Sequence, residues 1–123
     1  MLALLAGGCS RRDAAPASRT QPRAANSPWA ILVNGSRSVL GDVVLFGGRG
    51  ALAPAVDRLA PGDSAEFTLD VRGEDAVFAS FVADGRACVS VDSACVEPGG
   101  GYEVRFVVDS TLTARVAGPG PGR

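Results

Sequence analysis

The sequence contains no histidine and no lysine, so arginine supplies every one of the twelve basic side chains. Without histidine the chain lacks the usual general base and the commonest zinc ligand, and it cannot form a Ser-His-Asp or Cys-His arrangement. Without lysine, its serines have no substitute base to activate them. The lack of histidine and lysine excludes most familiar hydrolase mechanisms. We therefore expect a protein that is not an enzyme and that has no metal or other cofactor.

The charge is distributed unevenly along the chain. Residues 10–27 carry four arginines and one aspartate, a net charge of +3, whereas residues 28–117 carry seven arginines and twelve acids, a net charge of −5. A domain with this excess of negative charge repels phosphate groups, so we expect no nucleic-acid partner. No motif in the chain indicates a small-molecule substrate.

Two segments alternate between apolar and polar residues, the pattern typical of a half-buried β-strand. In residues 64–71 one face of the strand would carry Ala65, Phe67, Leu69 and Val71. In residues 102–108 the corresponding residues are Tyr102, Val104, Phe106 and Val108. Apolar runs at 29–33, 39–46, 76–83, 86–91 and 111–116 predict the remaining strands.

Turn residues separate these runs at intervals of eight to twelve residues. Asn34-Gly35 and Asp84-Gly85 predict hairpins, and Pro61-Gly62 fits the central positions of a type II turn. Only residues 51–59 could form one turn of helix. This pattern predicts an all-β fold, an antiparallel β-sandwich of about seven short strands over residues 28–117, immunoglobulin-like in character.

Glycines and acids offer two weaker candidates for chemistry. Gly47, Gly48 and Gly50 surround Arg49, but no strand-glycine-helix context follows them, so a mobile turn is favoured over a phosphate site. The pairs Glu74 with Asp75 and Asp57 with Asp63 lie in turns or beside glycine and show no calcium-loop spacing. We interpret them as solvated acids.

The first residues resemble the end of a bacterial lipoprotein signal peptide. Leu5, Ala6, Gly7, Gly8 and Cys9 are similar to a lipobox, in which small residues precede a cysteine that is acylated and becomes the new N-terminus. The resemblance implies a truncated signal peptide over residues 1–8 and lipid attachment at Cys9. In that family the next residue influences sorting, and Ser10 implies the periplasmic face of the outer membrane. The alternative is a cytoplasmic protein with an apolar beginning.

Residues 9–27 would then combine the lipid anchor with a disordered tether. Residues 10–27 contain no aromatic or branched aliphatic side chain. They therefore cannot bury enough apolar surface to offset the conformational entropy that would be lost on ordering. As a flexible coil they would span about 25 Å. The tail, residues 118–123, is expected to be disordered as well.

With Cys9 assigned to lipid, Cys88 and Cys95 remain. In an oxidising envelope compartment, two cysteines of a small β domain are most simply joined in a disulfide bond. We therefore predict an envelope lipoprotein whose non-catalytic domain binds an unknown envelope protein or acts as a structural module. The alternative function is a small periplasmic inhibitor, similar in outline to lysozyme inhibitors, that binds a basic enzyme.

Overall fold

The computed structural model describes residues 27–99 and 103–117. Regular secondary structure in these residues consists of β-strands alone, which confirms the predicted all-β class. The ten strands are β1 (Trp29–Asn34), β2 (Leu40–Gly47), β3 (Gly50–Ala51), β4 (Val56–Leu59), β5 (Ser64–Thr68), β6 (Asp75–Ala83), β7 (Arg86–Val89), β8 (Ala94–Val96), β9 (Glu103–Val108) and β10 (Ala114–Val116).

The strands form two sheets. The first sheet has the order β10-β9-β1-β5, and its central pair, β1 and β9, is parallel. The second sheet is built around the antiparallel pair β2 and β6. Two short strands, β3 and β4, pair with β2, and two more, β7 and β8, pair with β6. The described residues therefore contain ten strands instead of about seven, because β3, β4 and β8 are short strands in segments where the sequence predicted none.

One apolar core is shared by the two sheets. In the two alternating segments, the residues predicted to share a face are buried wherever the structure describes them, apart from half-buried Ala65; Tyr102 lies outside the described residues. The largest fully buried side chains of this core include Phe81, Phe106, Leu32, Leu40 and Leu45.

Two of the three predicted turns are confirmed. Asp84 and Gly85 have φ angles of 52° and 77° and join β6 to β7 in a two-residue hairpin. The N–H of Asp63 donates to the carbonyl of Ala60 at 3.0 Å, and Gly62 has a φ of 86°. A positive φ at the second central position is what a type II turn requires.

The hairpin predicted at Asn34-Gly35 is wrong. At this point the chain leaves the first sheet and crosses to β2 in the second. Gly35 donates its N–H to the carbonyl of Val108 at 2.8 Å, and a Cβ at this glycine would lie 2.9 Å from that carbonyl oxygen. The glycine is therefore needed for close approach of two backbones rather than for a tight turn.

The side chain of Asn34 explains why the chain turns toward the second sheet. It is fully buried, and its amide nitrogen donates to the carbonyls of Ser38 at 2.8 Å and Leu59 at 3.0 Å. Its Oδ1 accepts from the N–H and the hydroxyl of Ser36, at 3.0 and 2.7 Å. One side chain thus joins the end of β1 to the crossing loop and to the end of β4.

The single helical turn considered for residues 51–59 is not formed. Part of this segment is β4, which lies along β2 with Leu59 opposite Leu40 and Val56 opposite Val43. Pairing with β2 gives this segment backbone hydrogen-bond partners and lets Leu59 enter the core. The paired strand is therefore more stable than a short isolated helical turn, whose nucleation is unfavourable.

Asp109 organises the turn between β9 and β10. Its Oδ1 accepts from the hydroxyl and N–H of Thr111, at 2.7 and 2.9 Å, and from the N–H of Thr113 at 3.1 Å. The side-chain hydrogen bond from Thr111, followed by the backbone hydrogen bonds from Thr113 and Thr111, lowers the pKa of Asp109. The ionised carboxylate is therefore the form that stabilises the turn.

We expect Asp109→Asn to lower the melting temperature at neutral pH and to have less effect as the pH falls. A carboxyl whose pKa is lower in the folded state stabilises that state above its unfolded pKa, near 3.9, and loses this contribution as the pH falls through the folded pKa. Melting curves of the two proteins recorded from neutral pH downward test this. A pH-independent difference in melting temperature would contradict it.

Candidate functional site

The two cysteines predicted to form a disulfide bond lie far apart in the second sheet. Cys88 pairs with Phe81 and Cys95 with Ala76, and these partners are five residues apart along β6. At about 3.3 Å per residue this is about 16 Å, whereas the Cα atoms of a disulfide lie within about 7 Å. Cys88 packs against the core as a free thiol. The predicted Cys88–Cys95 bond is therefore not formed.

The reason lies in the segment between the two cysteines. A hairpin would bring Cys88 and Cys95 opposite each other, but the chain continues along β6 from β7 to β8. Ser90 holds this path, because its N–H donates to the carbonyl of Ala79 at 2.8 Å and its hydroxyl accepts from the N–H of Ala79 at 3.1 Å. That hydroxyl also donates to the carbonyl of Asp92 at 2.8 Å.

Several other predictions fall on residues that the structure does not describe. Cys9, the truncated signal peptide at 1–8 and the tail at 118–123 lie outside the described residues, as does all of the anchor and tether at 9–27 except Ser27. Lipid attachment at Cys9 therefore stays a prediction. In the described part of the chain, no helix has the length and apolar character needed to span a membrane.

The glycine cluster forms a tight hairpin between β2 and β3, in which Gly47 pairs with Gly50. Asp75 occupies the space beside it, since a Cβ at Gly47 would lie 2.6 Å from Oδ2 of that carboxylate. The Oδ1 of Asp75 accepts the N–H of Gly48 at 3.1 Å. A carboxylate of the protein thus already accepts one N–H of the glycine cluster and places a negative charge beside it.

The acids considered for chemistry do not assemble into a metal site in the described part of the structure. Asp75 is engaged with Gly48, as above, and also accepts the N–H of Ala76 at 2.9 Å. Across residues 27–99 and 103–117, no group of three or more cysteines and acids is placed to hold a metal ion.

The most distinctive surface of the described domain is the outer side of the second sheet. Along β6, alternate residues from Val77 to Ala83 are buried in the core, so Phe78, Ser80 and Val82 point to the opposite side. Residues paired directly across antiparallel strands share a face. The register therefore adds neighbours from β2 and β7, and we call the whole set the apolar face: Val44, Phe46, Phe78, Ser80, Val82, Ala87 and Val89.

The apolar face is accessible to a partner. Val82 and Val89 expose 40% and 54% of their surface. Phe46 and Phe78 are half-buried and stack on each other, with ring centroids 5.5 Å apart and an interplanar angle of 19°. The stacked rings form a rigid aromatic ridge at one end of the face, and such rings carry much of the contact energy at interfaces.

Charged residues lie at one corner of this face and not in its middle. Arg58 is exposed opposite Gly41 on β4, at the sheet edge, and Asp42 is exposed at the bulge in β2. The outer side of the first sheet differs, because there Ile31 is flanked by Glu66 and Arg105. The apolar face is thus a feature of one sheet and not of the whole domain surface.

The sequence alone did not reveal the apolar face. The run at 76–83 is apolar at seven of eight positions, so its periodicity does not separate a core side from an exposed side. The pairing of Val44 with Ser80 and of Ser80 with Val89 is long-range information that only the register provides. The signal available in the sequence was the continuous apolar run itself, which predicts burial on both sides of a strand.

Comparison with known proteins gives a likeness of fold. No protein-family model and no curated protein matches this sequence. A solved structure described as "NMR structure of the protein from Eubacterium rectale" is similar to it, with a TM-score of 0.52. The match covers 76% of this chain and 89% of that one, at 17% sequence identity. At this identity the likeness concerns the fold alone.

Proposed function

We propose that this protein is a cell-envelope lipoprotein, held by a lipid on Cys9 at the periplasmic face of the outer membrane. Its non-catalytic domain is a β-sandwich, immunoglobulin-like in character, that acts as a protein-interaction module. The observation that carries the proposal is the apolar face, on which Val82 and Val89 remain 40% and 54% exposed. Contiguous exposed apolar surface of this kind marks interaction sites on soluble domains.

The outer side of the second sheet, with the apolar face in its middle, has the area of a small protein contact. The second sheet is four strand positions wide, about 19 Å at the usual spacing of about 4.8 Å, and β6 is nine residues long, about 30 Å. The outer side of the second sheet therefore offers about 500 Å². The apolar face spans three strands and the five residues from Phe78 to Val82 on β6, so it takes up about 230 Å² in the middle of that side.

Absence of the usual catalytic groups supports the non-catalytic part of the proposal. The sequence has no histidine or lysine, and the serine closest to the middle of the apolar face, Ser80, has only Val44 and Val89 as its paired neighbours. Apolar neighbours neither remove a proton from a hydroxyl nor stabilise a developing charge.

The alternative, an inhibitor that binds a basic enzyme, receives less support. Such a protein would be expected to present a coherent acidic surface. On the outer side of the first sheet, Glu66 and Glu103 are interspersed with Arg105 and Arg115. That side is therefore mixed in charge. The arginines offset the negative potential of the glutamates, so the side does not attract a basic partner strongly.

Site-specific photo-cross-linking in living cells tests the proposed function. We expect a photoreactive amino acid at position 89 to give a covalent product with a protein, because that side chain lies at the accessible border of the apolar face. The matched control carries the same amino acid in place of Thr68, an exposed residue of β5 in the first sheet. Equal cross-linking at both positions, or none at position 89, would contradict the proposal.

A further inference from the structure

We propose that the partner of the apolar face is a second copy of this protein, so that two second sheets stack face to face in a symmetric dimer. This inference rests on the proposed function, because it names the partner of the same surface. Stacked sheets pack about 10 Å apart, with apolar side chains interdigitating between them. The residues of the apolar face are of the kinds that fill such a layer inside this domain.

The shape of the apolar face is complementary to itself. At one end the stacked rings of Phe46 and Phe78 form a ridge. About 13 Å away, four residues along β6, the row of Gly41, Val82 and Ala87 forms a shallower end. A two-fold axis perpendicular to the strands would place the ridge of each copy over the shallow end of the other. Such an isologous contact buries both aromatic pairs at once.

The charge pattern also favours a second copy. In a symmetric contact every charge near the axis faces its own like charge, which costs free energy. The middle row of this face, Val44, Ser80 and Val89, carries no charge, so a face-to-face dimer meets no such repulsion there. Arg58 lies at the β4 edge, where its guanidinium can remain in water.

The available area predicts a weak dimer in solution that becomes favourable on a membrane. The outer sides of two second sheets, about 500 Å² each, would bury about 1,000 Å² in total if they stacked over their whole area, near the lower limit for specific interfaces. Anchoring both copies to one membrane raises their local concentration, and so favours association without any new contact. Weak self-association in solution and strong self-association at the envelope are thus expected together.

Sedimentation velocity of the full 123-residue chain tests this inference. The Cys9→Ser variant under reducing conditions is used, so that neither lipid nor disulfide exchange contributes to the association. We expect a reversible monomer–dimer equilibrium with a dissociation constant of about 10 to 500 µM. Val89→Glu should weaken it by more than about tenfold, because burying an unpaired carboxylate is costly. Thr68→Glu, which adds the same charge to the first sheet, should leave it unchanged.

Charge-swap variants at Ser80 distinguish self-association from a general effect of altered surface charge. Ser80 lies in the middle row, so in the proposed dimer it faces its counterpart across the axis. Ser80→Glu and Ser80→Arg should each be monomeric, and their equimolar mixture should regain a heterodimer. A mixture that stays monomeric, or a wild-type chain that stays monomeric at several hundred micromolar, would overturn the inference.

The cross-linking experiment separates failure of this inference from failure of the proposed function. A product at position 89 with twice the mass of one chain supports the second copy. A product of any other mass overturns the second copy and leaves the interaction module standing. No product at position 89 contradicts both.

Discussion

Replacing Asn34 by alanine is expected to lower the free energy of unfolding by about 3 kcal/mol. The side chain is fully buried, and its hydrogen bonds to Ser36, Ser38 and Leu59 satisfy groups in the crossing loop and at the end of β4. Each buried polar group left without a partner costs about 1 to 3 kcal/mol, and partial entry of water would reduce the sum. Urea denaturation of the full chain, monitored by circular dichroism, measures the change.

The matched control for Asn34 lies in the same loop. The hydroxyl of Ser38 donates to Asp84 Oδ2 at 3.2 Å on the surface, so Ser38→Ala should cost no more than about 0.5 kcal/mol. An Asn34→Ala variant as stable as Ser38→Ala would show that the connection between the two sheets does not depend on this amide. It would also show that this amide does not direct the chain toward the second sheet after β1.

The second large effect is expected at Cys9. Cys9→Ser removes the thiol on which the proposed lipid is carried, so the protein should move from the membrane fraction to the soluble fraction of the cell. The tether alone, with a net charge of +3 over residues 10–27, gives only weak electrostatic attraction to anionic lipids. Quantitative immunoblotting of the two fractions, at high salt, measures the redistribution.

Cys88→Ser provides the control for that experiment. Cys88 is a free thiol packed beside the core, so its replacement should leave the protein in the membrane fraction. If both variants stay with the membrane, the attachment does not use the Cys9 thiol. If both leave it, the redistribution reports a loss of folding and not the loss of a lipid.

Local features of the fold could be predicted from the sequence. Strict alternation in residues 64–71 determines which side chains enter the core, and Phe67, Leu69 and Val71 are buried as expected. Asp84 and Gly85 both have positive φ, the conformation that this dipeptide favours in a two-residue hairpin. These features depend on neighbouring residues only.

Features that depend on distant segments were missed. Asn34-Gly35 has the same turn signal as Asp84-Gly85, but the buried amide of Asn34 is bonded to Leu59, twenty-five residues away. The parallel pairing of β1 with β9 joins segments more than seventy residues apart. The failed Cys88–Cys95 bond has the same origin, because β7 and β8 follow β6, and Ser90 between the cysteines is hydrogen-bonded to Ala79 of β6.

The candidate site illustrates the same limit. The valines and phenylalanines of the apolar face are ordinary strand formers in the sequence, and four of the nine residues of β6 are buried. Only the pairing of β2, β6 and β7 brings Val44, Phe78 and Val89 to one exposed side. The proposed lipid anchor differs from the apolar face in this respect. The resemblance that supports it lies entirely within residues 5–9, so the sequence alone suggests it.

The most direct test of the account is the intact mass of the protein purified, without reduction, from membranes of the organism that makes it. We predict a chain that begins at Cys9 and carries two or three acyl groups, with Cys88 open to alkylation before any reductant is added. A chain whose Cys9 carries no lipid, whether free or joined to Cys95, would contradict it.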